Sequence, residues 1–224
     1  MSLPVFCWGT SFATPNTSGS GSGIFSDNFT SNSGWTQTGT LVDVNNSVSG
    51  KLAFAGATNG TDRRVTKSLG LTLSDTTWRA EFLYNATAKN IPSHTIFSFV
   101  DTVGEWDATT ADCIGIKHED DDKLYVCTKD SATGPPTNAG TGIAISLSTD
   151  YYIRLERTTS TNVKLSIFSD SARTSHVTGS PQNGTVSANC ISLDNIQAST
   201  YAAGSGARSL TSTIDDLVVY DTLA

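Results

Sequence analysis

Carboxylates are the side chains of this chain most able to do chemistry, and they are thinly spread. Hydrolysis of a glycosidic bond needs two of them about 5–9 Å apart across one groove. The nearest match to such a set is Glu105, Asp107 and Asp112. These residues follow Val100-Asp101 in a polar stretch without strand alternation, so they read as a solvated acidic loop, with a two-acid active site as the rival reading. A nucleophilic serine would need a strained Gly-x-Ser-x-Gly turn, and the Gly/Ser alternation around Ser20 and Ser22 does not supply it. His94, His118 and His176 are too far apart to form the His-x-x-x-His pair that binds zinc. Glu119-Asp120-Asp121-Asp122 concentrates acids at one turn. It lacks the glycine of a cation-wrapping loop, so it reads as a hairpin tip in water. Catalysis is not expected.

Binding is the better prospect. A sugar is held by an aromatic ring under its apolar face and by polar side chains at its hydroxyls. Trp78 alternates with Ala80, Phe82 and Tyr84 and belongs to a core. Trp35 follows Ser-Gly in an early turn. Trp106 lies in the polar loop between Glu105 and Asp107, with no alternation to bury it. It reads either as a surface platform flanked by those two acids or as a ring folded back onto the sheet. The outward positions Arg79, Glu81, Ser98, Lys117 and Tyr125 would line the same face if their strands are neighbours.

Those positions need strands to hold them, and the chain supplies little else. Residues 1–23 form a leader: an apolar patch at Val5-Phe6-Cys7-Trp8, either unstructured or docked back, then a flexible Gly/Ser linker. From 24 to 224 the pattern is strand and turn, and it predicts one all-β domain, an antiparallel sandwich. Strands are expected at Ile24–Phe29, Leu41–Val44, Lys51–Ala55, Arg64–Leu69, Thr77–Asn85, Thr95–Asp101 and Cys113–His118. Six more follow at Lys123–Thr128, Gly142–Leu147, Tyr151–Arg157, Val163–Ser169, Cys190–Ala198 and Thr213–Asp221.

Two hairpins are legible. In the first, a register pairing Leu155 with Leu165 also sets Glu156 against Lys164, so both faces are satisfied at once. The second turns at Glu119–Asp122. There, alternation of Ile114 and Ile116 against Leu124 and Val126 turns Cys113 and Cys127 outward and opposite each other. That placement permits a cross-strand disulfide, and two free thiols are the other reading. Cys7 and Cys190 could pair only through tertiary contact.

Charge and hydropathy exclude several partners. The formal net charge is −7 and there is no Lys/Arg cluster, so a nucleic-acid surface is not expected. No run of about 18 apolar residues is available to span a membrane, and the leader has no charged start and apolar core of a signal peptide.

The two ends carry a resemblance. Ile24-Phe25-Ser26-Asp27-Asn28-Phe29 and Thr213-Ile214-Asp215-Asp216-Leu217-Val218-Val219-Tyr220-Asp221 read as first and last strands that meet in one sheet. That pairing resembles the concanavalin A-like lectin/glucanase superfamily, including its laminin-G-like members. The resemblance implies a jelly-roll sandwich, an extracellular or otherwise surface-exposed setting, and a non-catalytic carbohydrate-binding or adhesion role with a glycan or polysaccharide as partner. It also implies a structural Ca²⁺ near the junction of the end strands, with Asp27 and Asp215 or Asp216 as ligands and turn capping as their alternative role. Where retaining glucanases of the superfamily carry Glu-x-Asp-x-(x)-Glu on one strand, the nearest match here, Glu105 to Asp112, lacks the final Glu. A structural module of a virion or surface fibre is the alternative function, and a glycan-degrading hydrolase or lyase a more distant one. The oligomeric state is open.

Overall fold

Apolar residues at every second position, broken by Gly, Asn, Asp and Ser, dictate short strands that bury one face each. The computed structural model describes residues 23–58, 63–90, 93–106, 108–200 and 209–221. The leader, Cys7 and Asp107 lie outside them. In chain order the first eight strands are β1 (Phe25–Asp27), β2 (Thr36–Thr38), β3 (Val42–Val44), β4 (Leu52–Thr58), β5 (Arg64–Ser68), β6 (Trp78–Asn90), β7 (His94–Val100) and β8 (Ala111–His118). The rest are β9 (Lys123–Ala132), β10 (Thr137–Asn138), β11 (Ile143–Ala144), β12 (Tyr151–Thr159), β13 (Asn162–Phe168), β14 (Gln182–Thr185), β15 (Asn195–Ser199) and β16 (Ser209–Tyr220). Among the described residues there is no helix.

Two antiparallel sheets of eight strands pack face to face as a jelly-roll type of sandwich. Sheet 1 runs β14-β13-β12-β6-β16-β4-β3, with β1 also on β16. Sheet 2 runs β10-β9-β8-β7-β15-β5-β2, with β11 also on β9. The inner faces meet through aromatic pairs: Trp78 against Phe99 with centroids 4.9 Å apart, and Phe82 against Phe97 at 5.0 Å. All four are fully buried, and burying one such side chain stabilises the fold by about 1.5–3 kcal/mol. Within sheet 2, β7 approaches β8 closely enough to require Gly115, since a Cβ there would lie 2.4 Å from the Phe97 carbonyl oxygen on that adjacent strand. One polar link also crosses the core. His118, placed inward by its alternation with Ile116, has its Nδ1 2.8 Å from the Tyr84 hydroxyl.

The end strands meet as expected: β1 pairs antiparallel with β16, Asp27 opposite Leu217. On β16 the buried positions switch parity, from Leu210, Ser212 and Ile214 to Leu217 and Val219. A one-residue slip turns every following side chain over, and a bulge absorbs it. The register shift lies between Asp215 and Val218, and Asp216 takes φ 51°, a left-handed conformation that aspartate tolerates better than most residues. The same bulge is where β16 exchanges β4 for β1 as its neighbour, since β4 pairs as far as Ile214 and β1 from Leu217.

The hairpin of β12 and β13 has the expected register, Leu155 with Leu165 and Glu156 with Lys164. The β8–β9 hairpin does not. Cys127 lies opposite Gly115, and Cys113 opposite Lys129, because the hairpin closes with His118 against Leu124, a register two residues along from the one that would set Cys113 against Cys127. Cys113, Cys127 and Cys190 are buried free thiols, so the expected opposition of Cys113 and Cys127 and its cross-strand bridge are corrected to two diagonal, unbonded residues. Strand positions 190–194 and 145–147 are also corrected, since β15 begins only at Asn195 and β11 spans two residues.

Candidate functional site

The outer face of sheet 1 gathers the richest polar constellation. On β6, Trp78, Ala80, Phe82 and Tyr84 point into the core, which turns Arg79 and Glu81 out. On β12, Ile153 and Leu155 point in, leaving Tyr152, Arg154 and Glu156 outside; on β13, Val163, Leu165 and Ile167 leave Lys164, Ser166 and Phe168. Register then builds a lattice. Glu81 faces Arg154 and Arg79 faces Glu156 across β6 and β12; Glu156 faces Lys164 and Tyr152 faces Phe168 across β12 and β13; Arg79 also faces Tyr220 of β16.

Glu81 is the hub. Its Oε1 accepts a hydrogen bond from Arg154 Nε at 2.7 Å and lies 3.4 Å from Arg79 Nε. Its Oε2 lies 3.5 Å from an outer nitrogen of Arg173. Rings flank the cations: Arg79 lies over Tyr220 with 4.1 Å to the centroid, Arg154 over Phe168 at 5.4 Å and Arg173 over Tyr152 at 5.8 Å. A second ion pair joins Lys164 to Glu156 at 2.8 Å.

Arg173 arrives from the loop 169–180 that follows β13. Asp170 closes that loop by accepting the backbone N–H groups of Thr174 and Ser175 and the Thr174 hydroxyl. These bonds hold its carboxyl below the usual range. The chain then returns through Val177 N–H to the Ile167 carbonyl, with His176 packed on Phe168 at 4.3 Å. Arg173 takes φ 55° in this turn. Burial lowers its affinity for a proton, the nearby Glu81 opposes that shift, and Arg154 and Arg79 add to it. A guanidinium starts high enough to stay charged regardless.

Donors outnumber acceptors here. Three guanidiniums offer five N–H groups each, against the two oxygens of Glu81. Among the described residues, the terminal nitrogens of Arg154 donate to no protein acceptor, and Arg173 Nε is buried without one. The arrangement is a rigid, aromatic-edged surface with unspent cationic donors.

Of the residues expected to bind sugar, Arg79 and Glu81 belong to this lattice. The others do not join them. Ser98, Lys117 and Tyr125 lie on β7, β8 and β9 of sheet 2, so the single shared face is corrected to two faces on opposite sides of the sandwich. The Tyr125 hydroxyl donates to Asp121 at 2.7 Å, and Lys117 is paired with Glu119 at 2.7 Å. Trp106 is no surface platform. It is 2% exposed, clustered with Val100 and Cys113, under the Lys129 ammonium at 5.1 Å from its ring. Lys129 also donates to the Trp106 and Thr109 carbonyls, and Gly104 exchanges two backbone bonds with the Gln197 amide. The loop therefore clamps back on sheet 2. Glu105 is half-buried, with its carbonyl accepting from Ala108 and Thr109. Asp112 is buried, its oxygens taken by the Ser131 N–H and hydroxyl and the Ile191 N–H. Arg154 and Arg173 escaped the sequence reading. Alternation turned Arg154 outward, but its meeting with Glu81 rests on β6–β12 pairing between strands distant in sequence, and Arg173 rests on a loop.

The end-strand aspartates are engaged as well. Asp27 accepts from Phe29 N–H at 2.7 Å and Trp35 Nε1 at 2.8 Å, and Asp215 is paired with the Lys51 ammonium at 2.6 Å. Asp216 has its proton affinity raised by burial and by Asp215, and its own N–H donates to the Asp215 carboxylate. Asp27 thus serves the turn and Asp215 an ion pair, the roles of their alternative reading, while Asp216 is exposed at the bulge. No group of three or more His, Cys, Asp or Glu among the described residues is arranged to hold a metal.

No protein-family model matches the chain, and no curated protein matches it. Solved structures do. An apo Crh5 transglycosylase superposes with a TM-score of 0.53 at 12% identity, over 88% of this chain and 83% of that one. A botulinum neurotoxin type C structure, described as dependent on two ganglioside molecules for cell entry, gives 0.50 at 12% identity over 85% and 43%. A Trypanosoma rangeli sialidase in complex with 2,3-difluoro-KDN gives 0.50 at 10% identity over 84% of this chain. The chain spans 27% of that sialidase's length. At such identities the likeness is one of fold: a two-sheet β-sandwich, compatible with the concanavalin A-like architecture.

Proposed function

We propose that this chain is a non-catalytic carbohydrate-binding sandwich of the concanavalin A-like kind, and that its glycan docks on the outer face of sheet 1. The observation that carries the reading is the lattice around Glu81: part-exposed Arg154, bonded there through Nε with its terminal nitrogens free of protein acceptors among the described residues, on the same face as the part-exposed ring of Tyr152. Sugar recognition uses that combination, a ring for the C–H face and fixed planar donors for oxygens. The neighbouring sialidase, toxin and transglycosylase structures support it only as examples of this fold meeting glycans. A hydrolytic role finds no support in Asp112, whose carboxylate is buried among backbone donors. A glycan array probed with the wild-type chain and with Tyr152→Ala tests the reading. Wild-type protein binds at least one class of glycan, and the variant loses that signal while keeping its melting temperature. An array blank for a folded wild-type chain favours a structural module instead.

A further inference from the structure

Resting on that reading, we infer that the glycan is acidic, and that a sugar carboxylate is what Arg154 and Arg173 receive. Four cations stand on the face, Arg79, Arg154, Arg173 and Lys164, against the carboxylates of Glu81 and Glu156, with Asp216 at the margin within electrostatic reach of Arg173. Asp170, in the loop that carries Arg173, brings the acids to four, so the face as a whole is balanced and its positive charge is local, in three guanidiniums gathered on the one carboxylate of Glu81 within a chain of formal net charge −7.

The geometry selects the anion. Arg154 spends Nε on Glu81, which fixes its plane and leaves the terminal pair of nitrogens as a fork. A planar carboxylate takes such a fork with two parallel hydrogen bonds. Arg173 is held by the Asp170-closed loop and touches the other Glu81 oxygen, so both guanidiniums are set before ligand arrives and little side-chain entropy remains to be lost. Glu81 is thus a positioning residue that keeps like charges together. Tyr152, beside Arg173, offers a ring edge to the sugar bearing the acid.

The test is calorimetric titration with polygalacturonate, alginate and polysialic acid, alongside methyl-esterified polygalacturonate and dextran sulfate. Wild type is expected to bind at least one carboxylated polymer, with polygalacturonate losing its affinity on esterification if it is the one bound. Arg154→Gln and Arg173→Asn each weaken binding at least about tenfold, the loss of one charge-assisted hydrogen bond. Lys123→Gln, on the other sheet, leaves it unchanged. Melting curves of both arginine variants identify any loss that comes from unfolding, and Arg154→Lys, which keeps charge without the fork, loses affinity too. Equal binding of acidic and neutral polymers overturns the acidic assignment and leaves the carbohydrate reading standing. Tighter binding of dextran sulfate through the same arginines overturns the carboxylate assignment. Binding of no polymer, acidic or neutral, by the folded chain overturns both.

Discussion

His118 shows how one buried side chain couples this sandwich to pH. Burial, with help from the nearby Lys89 cation, pushes its imidazole down to about 4 from an ordinary 6.5, against the opposing acids Asp122, Glu119 and Asp121. Below pH 6.5 the unfolded chain takes up a proton that the folded chain refuses, so stability falls as pH drops toward 4 and this contribution levels off below that. The full penalty is roughly 3 kcal/mol at about 1.4 kcal/mol for each pH unit. Urea unfolding of wild type between pH 7 and 4 is expected to show that decline, and His118→Gln to flatten it; parallel slopes in both proteins would remove His118 as the cause. The inward position of His118 follows from its alternation with Ile116. Arg157 is less legible. The period of two places Arg157 with Ile153 and Leu155, and it is indeed fully buried, its guanidinium bonded to the carbonyls of Cys190, Ser160 and Thr159. A charge at an inward position has no signature in sequence until the carbonyls that receive it are known.

At the scale of elements, local pairing was legible and distant pairing was not. The β12–β13 register followed from two residues, because apolar and charged pairs agreed on one alignment. The β8–β9 register failed because an offset of two keeps every side chain on its face, so alternation could not tell the pairing of His118 with Leu124 from the one that sets Cys113 against Cys127. The Trp106 loop failed for another reason: nothing local announces that Lys129, Gly134 and Gln197 will bind its backbone. Its structural role gives a prediction. Trp106→Ala empties a buried site and costs about 3–5 kcal/mol in chemical denaturation, the usual loss for a core tryptophan, while glycan affinity of the folded variant stays unchanged. Loss of affinity without loss of stability would return Trp106 to the role of a platform.

The whole molecule joins these scales through its end strands. The Asp215-Asp216 bulge lets β16 serve β4 along one half and β1 along the other, and the same strand lays Tyr220 beneath Arg79. Closure of the sandwich and construction of the arginine face therefore share one element, and the sequence showed the acidic pair without showing its parity switch. The central claim is that glycan lands on the outer face of sheet 1. Amide chemical-shift mapping during titration with the polymer bound in calorimetry tests it directly. Shifted residues are expected to cluster at 79–81, 152–156, 164–168 and 173. A cluster around Lys117, Tyr125 and the Trp106 loop on sheet 2, with the arginine face unmoved, would contradict it.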